Sequence, residues 1–585
     1  MTDNLKKDLS FETEDSAIRL DDLPVNELSS IEEKQRGAFG RFVDSFKECK
    51  IDMSDVDPNL SEVEKANIKA ARAPLKRRLK NRHLQMIAIG GSIGTGLFVG
   101  SGGALSSGGP AALLIGWILT GIMMYCTVQA LGELAVTFPV SGSFVQYNTR
   151  FISAPWGFCM AYNYAMQWLV VLPLELVAAA MTINYWNSTI NSAAWVVIFY
   201  VVVVFINFFG VKGYGEAEFL FSIIKVIAVI GFIILGIVLV CGGGPHGGYL
   251  GGTYWQEPGA FSHGFHGVCS VFVTSAFSFA GTELCGLAAA ETENPRKSLP
   301  SATKQVFWRI TLFYIICLTL VGLLVPYNDP RLIGSSSADA AASPFVIAIV
   351  NAGISGLPSV MNVVIMIAVV SVGNSAVFGC SRTIASLADM EMAPKICGYI
   401  DREGRPLVGV GITLTFGLLC FLPASSKQAD VFNWMLALSG LSSVFTWGSI
   451  CFCQIRFRRA LAVRGRGVDE VPYTTQCGIL GSWFGVILNI LILIATFYTA
   501  LFPVGGSPSA SAFFQSYLTV PVLIFFIAIF LAWKRDFTIF IRAKDIDIDG
   551  GRRAVDIELL KQEIAEEKAY IATKPYYVRV YKFWC

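Results

Sequence analysis

The run Gly90-Gly91-Ser92-Ile93-Gly94-Thr95-Gly96 lies inside an apolar stretch and places four glycines in seven residues. Each glycine costs a helix about 1 kcal/mol relative to alanine, so a helix entering this run is expected to break. A second break, Ser278-Phe279-Ala280-Gly281-Thr282-Glu283, interrupts a later apolar stretch. Glycine also packs between membrane helices at regular small-x-x-x-small spacing, a pattern that this mid-span cluster fits less well. A broken helix exposes N–H groups where one half starts and carbonyls where the other half ends. The first end attracts an anion and the second a cation. Two such breaks facing one cavity suit a zwitterion, and an α-amino acid carries its two charges at about that separation. On this reading Thr95 and Gly96 receive the carboxylate, while the carbonyls near Ser92, Phe277 and Ala280 receive the ammonium. Ile93, Gly94 and Ser278 complete the two breaks. Recognition by backbone ignores the side chain and so permits a broad substrate range.

Ionisable residues inside apolar stretches are functional candidates, because each costs roughly 2.5–3.5 kcal/mol to insert. Lys225 lies in Phe221-Ser222-Ile223-Ile224-Lys225-Val226. A fixed ammonium there can stand where a sodium ion would otherwise sit, which points to proton coupling; the competing reading is a lysine snorkelling to the inner interface. Glu283 follows the second break. A carboxyl taken out of water favours its protonated form, so Glu283 is a candidate proton carrier, or else a structural hydrogen-bonding group. Glu175 and Glu133 are weaker candidates, and Glu133 can simply cap a cytoplasmic end. Asn163, Gln167, Ser371, Asn374 and Arg382 are polar positions that line a pathway or tie helices together. Phe279, at the break, is either a lid over substrate or a gap filler.

These residues need a scaffold, and composition supplies its class. Of 585 residues, 54% are hydrophobic and only 15% charged, with a mean hydropathy of +0.56. A soluble protein carries about 25% charged residues, and soluble cores stop growing near roughly 250–300 residues. A soluble enzyme, a disordered chain and a nucleic-acid binder are therefore excluded, and the net charge of +2 implies no polyanionic partner. The class is an all-α polytopic membrane protein embedded in the lipid bilayer. Apolar segments fall near 85–104, 110–137, 157–185, 193–210, 215–241, 266–290, 305–326, 359–389, 408–424, 431–455, 480–502 and 516–533, which we number as spans 1 to 12. The apolar piece Pro344 to Val350 is too short to span and reads as a hairpin in a loop. The chain divides into a tail, 1–83, a twelve-helix domain, 84–533, and a second tail, 534–585, with a helix expected over Val555 to Ile571. No signal peptide is expected. Basic residues cluster before span 1 (Arg72, Lys76, Arg77, Arg78, Lys80, Arg82) and in alternate loops, so both termini are expected inside. The cysteines read as small buried hydrophobes, and no metal cluster or cofactor motif stands out. Asn187-Ser188-Thr189 is a glycosylation sequon too close to a span end to be used. Spans 1 and 6 each open a group of five, and breaks in corresponding helices point to an inverted-repeat transporter with its site at mid-membrane.

Gly91-Ser92-Ile93-Gly94-Thr95-Gly96-Leu97-Phe98, Phe279-Ala280-Gly281-Thr282-Glu283 and Ala289-Ala290-Glu291-Thr292 resemble the fungal amino-acid permeases of the amino acid–polyamine–organocation superfamily. So do Gly322-Leu323-Leu324-Val325-Pro326-Tyr327, Ser371-Val372-Gly373-Asn374-Ser375, Phe432-Asn433-Trp434 and the ending Phe583-Trp584-Cys585, which look like the general amino-acid permease branch. The resemblance covers the chain from about residue 37 onward. It implies a leucine-transporter-type fold of two five-helix inverted repeats plus two helices. It implies proton symport of L-amino acids across the plasma membrane and trafficking through the endoplasmic reticulum, Golgi and endosomes. It implies ubiquitin-ligase action at Lys6 or Lys7 and coat recognition of the acidic residues Asp545, Asp547 and Asp549. Cys585 is a candidate for palmitoylation. The sequence departs at Leu284-Cys285-Gly286, where a valine is common before the glycine. Narrower readings stay open: a permease for basic or neutral amino acids, with Glu175 as an acid facing a basic side chain, or a receptor with little net flux. Enzyme activity is not expected.

Overall fold

The computed structural model describes residues 43–49, 65, 68, 75, 78–186, 189–333, 343–424, 428–550, 552 and 557–584. Lys6, Lys7, the first two residues of the sequon and Cys585 lie outside the described residues. Among those described, helix dominates, and the only extended pairings are two isolated bridges, Glu48 with Asp401 and Leu79 with Thr292. This follows from the solvent: in a bilayer every backbone group must be satisfied within its own segment.

Each of the twelve expected spans has a helical counterpart. Eight helices are long and apolar enough to cross a membrane unaided, and a bent pair, Ala510–Tyr517 with Thr519–Lys534, supplies span 12. Spans 4 and 9 are the shorter helices Ser192–Phe208 and Leu407–Phe421. Span 1 starts as Asn81–Gly90, breaks, resumes at Gly96, and runs on into span 2. Gly109, at φ +83°, marks the corner between them, and Pro110 follows it. Only glycine adopts that φ without strain, and proline opens the next helix. Span 3, Ala154–Thr182, is entered through a capping serine, Ser153, with Pro155 in its first turn. Pro344–Asn351 is a short buried helix rather than a hairpin. It seats Phe345 against Phe98 of span 1 and Phe232 of span 5, with ring centroids 5.2 and 4.6 Å apart.

Span 5, Gly210–Val240, shows why the ionisable residues face inward. Glu218, Ser222, Lys225, Val229, Phe232 and Gly236 are buried and recur every three or four residues, which makes one helical stripe. Ile227, Ile230, Ile234 and Ile237 occupy the opposite, exposed side. In lipid the apolar face turns outward and the polar stripe must find partners in the bundle. Span 11, Gly478–Leu501, likewise exposes Ile487, Ile490, Leu491 and Ile494. Span 3 packs along span 8, Leu357–Asp389, and span 5 packs on the first half of span 1.

The tails are partly docked. Residues 43–49 lie against the loop at 399–405, where Arg402 N–H donates to the Lys47 carbonyl and the Arg405 guanidinium stacks 4.3 Å from the Phe46 ring. The expected tail helix appears as Ile557–Ala572.

Candidate functional site

Both interruptions are present and face each other. The first half-helix of span 1 ends at Gly90, and the chain resumes helix at Gly96. In span 6 the half-helix Phe272–Phe279 ends at Ala280, and Leu284–Ala288 follows. Gly281 sits between them at φ +95°, where a side chain is strained. The two breaks touch closely: a Cβ on Gly96 would stand 2.5 Å from Ser278 Cα. Glycine is thus required at Gly96 by approach, and at Gly281 by conformation.

Ser92, Gly94, Thr95, Gly96, Phe277, Ala280, Trp168, Val171, Glu175 and Val372 line one small cavity between the breaks. Its volume to water-sized contents is about 10 Å³, room for about one water molecule, so the site is shut in this conformation. Glu175 enters it from span 3. Thr95 Oγ1 donates to Glu175 Oε2 at 2.5 Å, while Glu175 Oε1 and Trp168 Nε1 are buried without a partner among the described residues. Gln167, next to Trp168, has neither amide atom partnered. Of the residues expected at the breaks, Ile93, Ser278, Phe279 and Glu283 lie behind this lining. Phe279 is fully buried and stacks on Tyr314, with centroids 4.3 Å apart. Glu283 accepts from Tyr164 Oη and Trp447 Nε1, each at 3.1 Å, and from the Gly281 N–H at 3.2 Å.

Lys225 does not snorkel: it is fully buried and reaches the end of the first half-helix. Its ammonium donates to the Gly90 carbonyl and to Ser371 Oγ, each at 2.8 Å. Ser371 in turn donates to Glu218 Oε2 at 2.6 Å, and Glu218 Oε1 lies 3.6 Å from the ammonium. The pair is neutralised within one network joining spans 1, 5 and 8. Sequence reasoning missed Glu218. The signal was present, since Glu218, Ser222 and Lys225 share the spacing of a single helix face.

Other polar candidates tie helices together. Asn163 donates to the Ser442 carbonyl at 3.0 Å and so joins spans 3 and 10. Asn374 accepts from Asn207 at 2.7 Å, joining spans 8 and 4. Arg382 pairs with Glu291 at 2.8 Å. Glu133 is buried and holds Arg458, Gln454 and the Thr475 N–H, so it fastens the loop before span 11 beneath span 2. Asp547 and Asp549 are engaged by Arg150 (3.1 Å) and Arg466 (2.7 Å). No group of metal-ligating side chains is found among the described residues.

Comparisons with known proteins give the family. The amino acid permease family model matches residues 83–542. The chain is 68% identical over 548 residues to the general amino-acid permease GAP2 of Candida albicans, covering 94% of this chain and 93% of that one. It is 60% identical over 563 residues to the general amino-acid permease GAP1 of Saccharomyces cerevisiae, covering 95% and 93%. The histidine permease of Saccharomyces cerevisiae is 51% identical over 518 residues, covering 87% and 86%. The matched region begins within the first half-helix of span 1 and ends past span 12, taking in both interruptions and the buried lysine, and on that extent this chain, a multi-pass membrane transporter and not an enzyme, belongs to the amino acid permease family.

Proposed function

We propose that the chain imports a broad range of L-amino acids across the plasma membrane by proton symport, binding the substrate backbone at the interrupted spans 1 and 6. The observation that carries the reading is the closed cavity between the two breaks, where Ser92, Gly94, Thr95, Gly96 and Ala280 of the interrupted spans make up half of the lining. The substrate carboxylate meets the N–H groups that open the second half of span 1, and the ammonium meets the carbonyls ending the half-helices. Lys225 supplies the coupling: its ammonium sits on the Gly90 carbonyl, and loss of its proton removes the charge that strengthens its bonds to that carbonyl and to Ser371 of span 8. Glu218 is the counter-charge, and Glu283 is the second coupling candidate. The energetics suffice. A proton gains about 2.3 kcal/mol per 100 mV and about 1.4 kcal/mol per pH unit. About 4–5 kcal/mol concentrates a neutral solute roughly a thousandfold.

A narrower reading, a permease preferring basic amino acids, draws on the unpartnered Glu175 oxygen at the cavity wall. A receptor with little net flux is the other alternative. Both termini face the cytoplasm in this reading, with ubiquitin-ligase action at Lys6 or Lys7 and coat recognition at Asp547 and Asp549 governing passage to the plasma membrane. The test is uptake by purified protein in liposomes with an imposed pH gradient, across acidic, neutral and basic labelled amino acids, with and without a protonophore. Gradient-dependent accumulation of all three classes is expected. Uptake of one charge class alone, basic or neutral, selects a narrower permease, and saturable binding without accumulation selects the receptor.

A further inference from the structure

Buried arginines in this protein come with carboxylates. Arg150, Arg382 and Arg405 pair with Asp547, Glu291 and Asp401. Arg309, on span 7, is as deeply buried, yet no carboxylate pairs with it among the described residues. Glu283 is taken by Tyr164, Trp447 and the Gly281 N–H. An unpaired charge inside a membrane domain demands compensation. Arg309 obtains it from the two interruptions. Nη1 donates to the Ala88 carbonyl, in the last turn of the first half of span 1, at 2.5 Å. Nη2 donates to Thr282 Oγ1, inside the span 6 break, at 2.5 Å. Thr282 also lies 3.4 Å from Ser92 Oγ, which links the two breaks directly.

The backbone of span 7 is shaped for this. Residues Ile310–Ile316 form a π-helical segment within an otherwise α-helical span. Arg309 is the last residue before this segment and Tyr314 lies within it. Tyr314 Oη donates to the Ser278 carbonyl at 2.8 Å and lies 3.4 Å from the Ser92 carbonyl. One π turn therefore caps carbonyls of both interrupted helices.

The end of the first half-helix thus carries two cations from opposite sides, Lys225 on Gly90 and Arg309 on Ala88. They differ chemically: lysine can surrender a proton in a protein, whereas arginine does not. We propose that Arg309 is a positioning residue of the transport site, a proton-independent cation that keeps the first half of span 1 registered to the span 6 break while Lys225 titrates. This rests on the symport reading above. It assigns the constant half of the linkage to span 7 and the switchable half to spans 5 and 8.

The experiment compares wild type, Arg309→Gln, Arg309→Lys and Thr282→Val as full chains in liposomes, measuring amino-acid binding, KM and maximal uptake from acid to alkaline pH. Arg309→Gln is expected to weaken binding by about tenfold or more, the scale of one lost charge-assisted hydrogen bond. Arg309→Lys should restore much of that binding at acid pH and add an alkaline loss absent from wild type. Thr282→Val removes the span 6 acceptor of Arg309 together with the Thr282 hydroxyl's own bonds to the Phe279 carbonyl and Ser92, covers the case of an Arg309 variant that fails to fold, and should raise KM. Arg309→Lys with the wild-type pH profile, or Thr282→Val with the wild-type KM, overturns the proposal. If wild type itself neither binds nor accumulates amino acids, the symport reading fails first; if wild type transports and these variants match it, only the role of Arg309 fails.

Discussion

At the scale of single residues, the site depends on which atoms of the chain bear charge. Thr95 spends its hydroxyl on Glu175, so its backbone N–H is the group left for an anion. Thr95→Val is therefore expected to retain more uptake than Gly96→Val, whose added side chain collides with Ser278 Cα at 2.5 Å or less. Equal losses in KM assays of the two would refute a backbone-centred anion site. Lys225→Ala is expected to abolish gradient-driven uptake while the protein still reaches the cell surface. Normal proton-driven uptake in that variant would remove Lys225 from coupling. The same substitution strands Glu218 as a lone buried carboxylate, which typically costs about 3–5 kcal/mol. Adding Glu218→Gln should recover the purified yield without recovering coupling.

At the scale of elements, interruption rather than continuity defines spans 1, 6 and 7. The span 6 break needs Gly281 at φ +95°, yet a Cβ there would make only ordinary van der Waals contacts, with Trp168 at 3.4 Å and the Gly91 carbonyl oxygen at 3.6 Å. Gly281→Ala therefore isolates backbone strain, on the order of 1–2 kcal/mol. That converts to about a tenfold loss of apparent substrate affinity, measurable as KM at normal surface expression; an unchanged KM would mean that the break tolerates ordinary backbone. The glycine-rich break of span 1 was legible from composition. The π turn of span 7 was not, because Ile310 to Ile316 reads as an ordinary apolar run.

At the scale of the whole molecule, the end of the bundle that holds residues 144–151 is closed by segments remote in sequence. Arg150, in the helix Phe144–Phe151, donates to the carbonyls of Asp547 (2.6 Å) and Gly550 (2.5 Å). Ile546 and Ile548 are fully buried beside them. Residues 541–550 therefore pack against the helical bundle although they follow span 12. Arg150→Met is expected to lower the thermal unfolding temperature of the detergent-purified protein, through a loss of about 1.5–3 kcal/mol for each charge-assisted hydrogen bond removed. The control Lys534→Met, at the exposed end of span 12, should leave it near wild type. Equal unfolding temperatures would show that the docked segment adds no stability.

The sequence by itself determined the class, the twelve spans, the two breaks and the presence of a lysine within span 5. Those depend on local composition: bilayer insertion reads apolar length, and helix interruption reads glycine, so neither waits for a partner. What only the tertiary structure decided was pairing. Lys225 as a snorkelling or a buried residue, the three donors that converge on Glu283, and Arg309 as a cation without a carboxylate depend on which helix lies opposite. That choice is set by packing between segments far apart in the chain, through hydrogen bonds whose acceptors are often backbone carbonyls. Such carbonyls occur at every residue and carry no signature in the sequence.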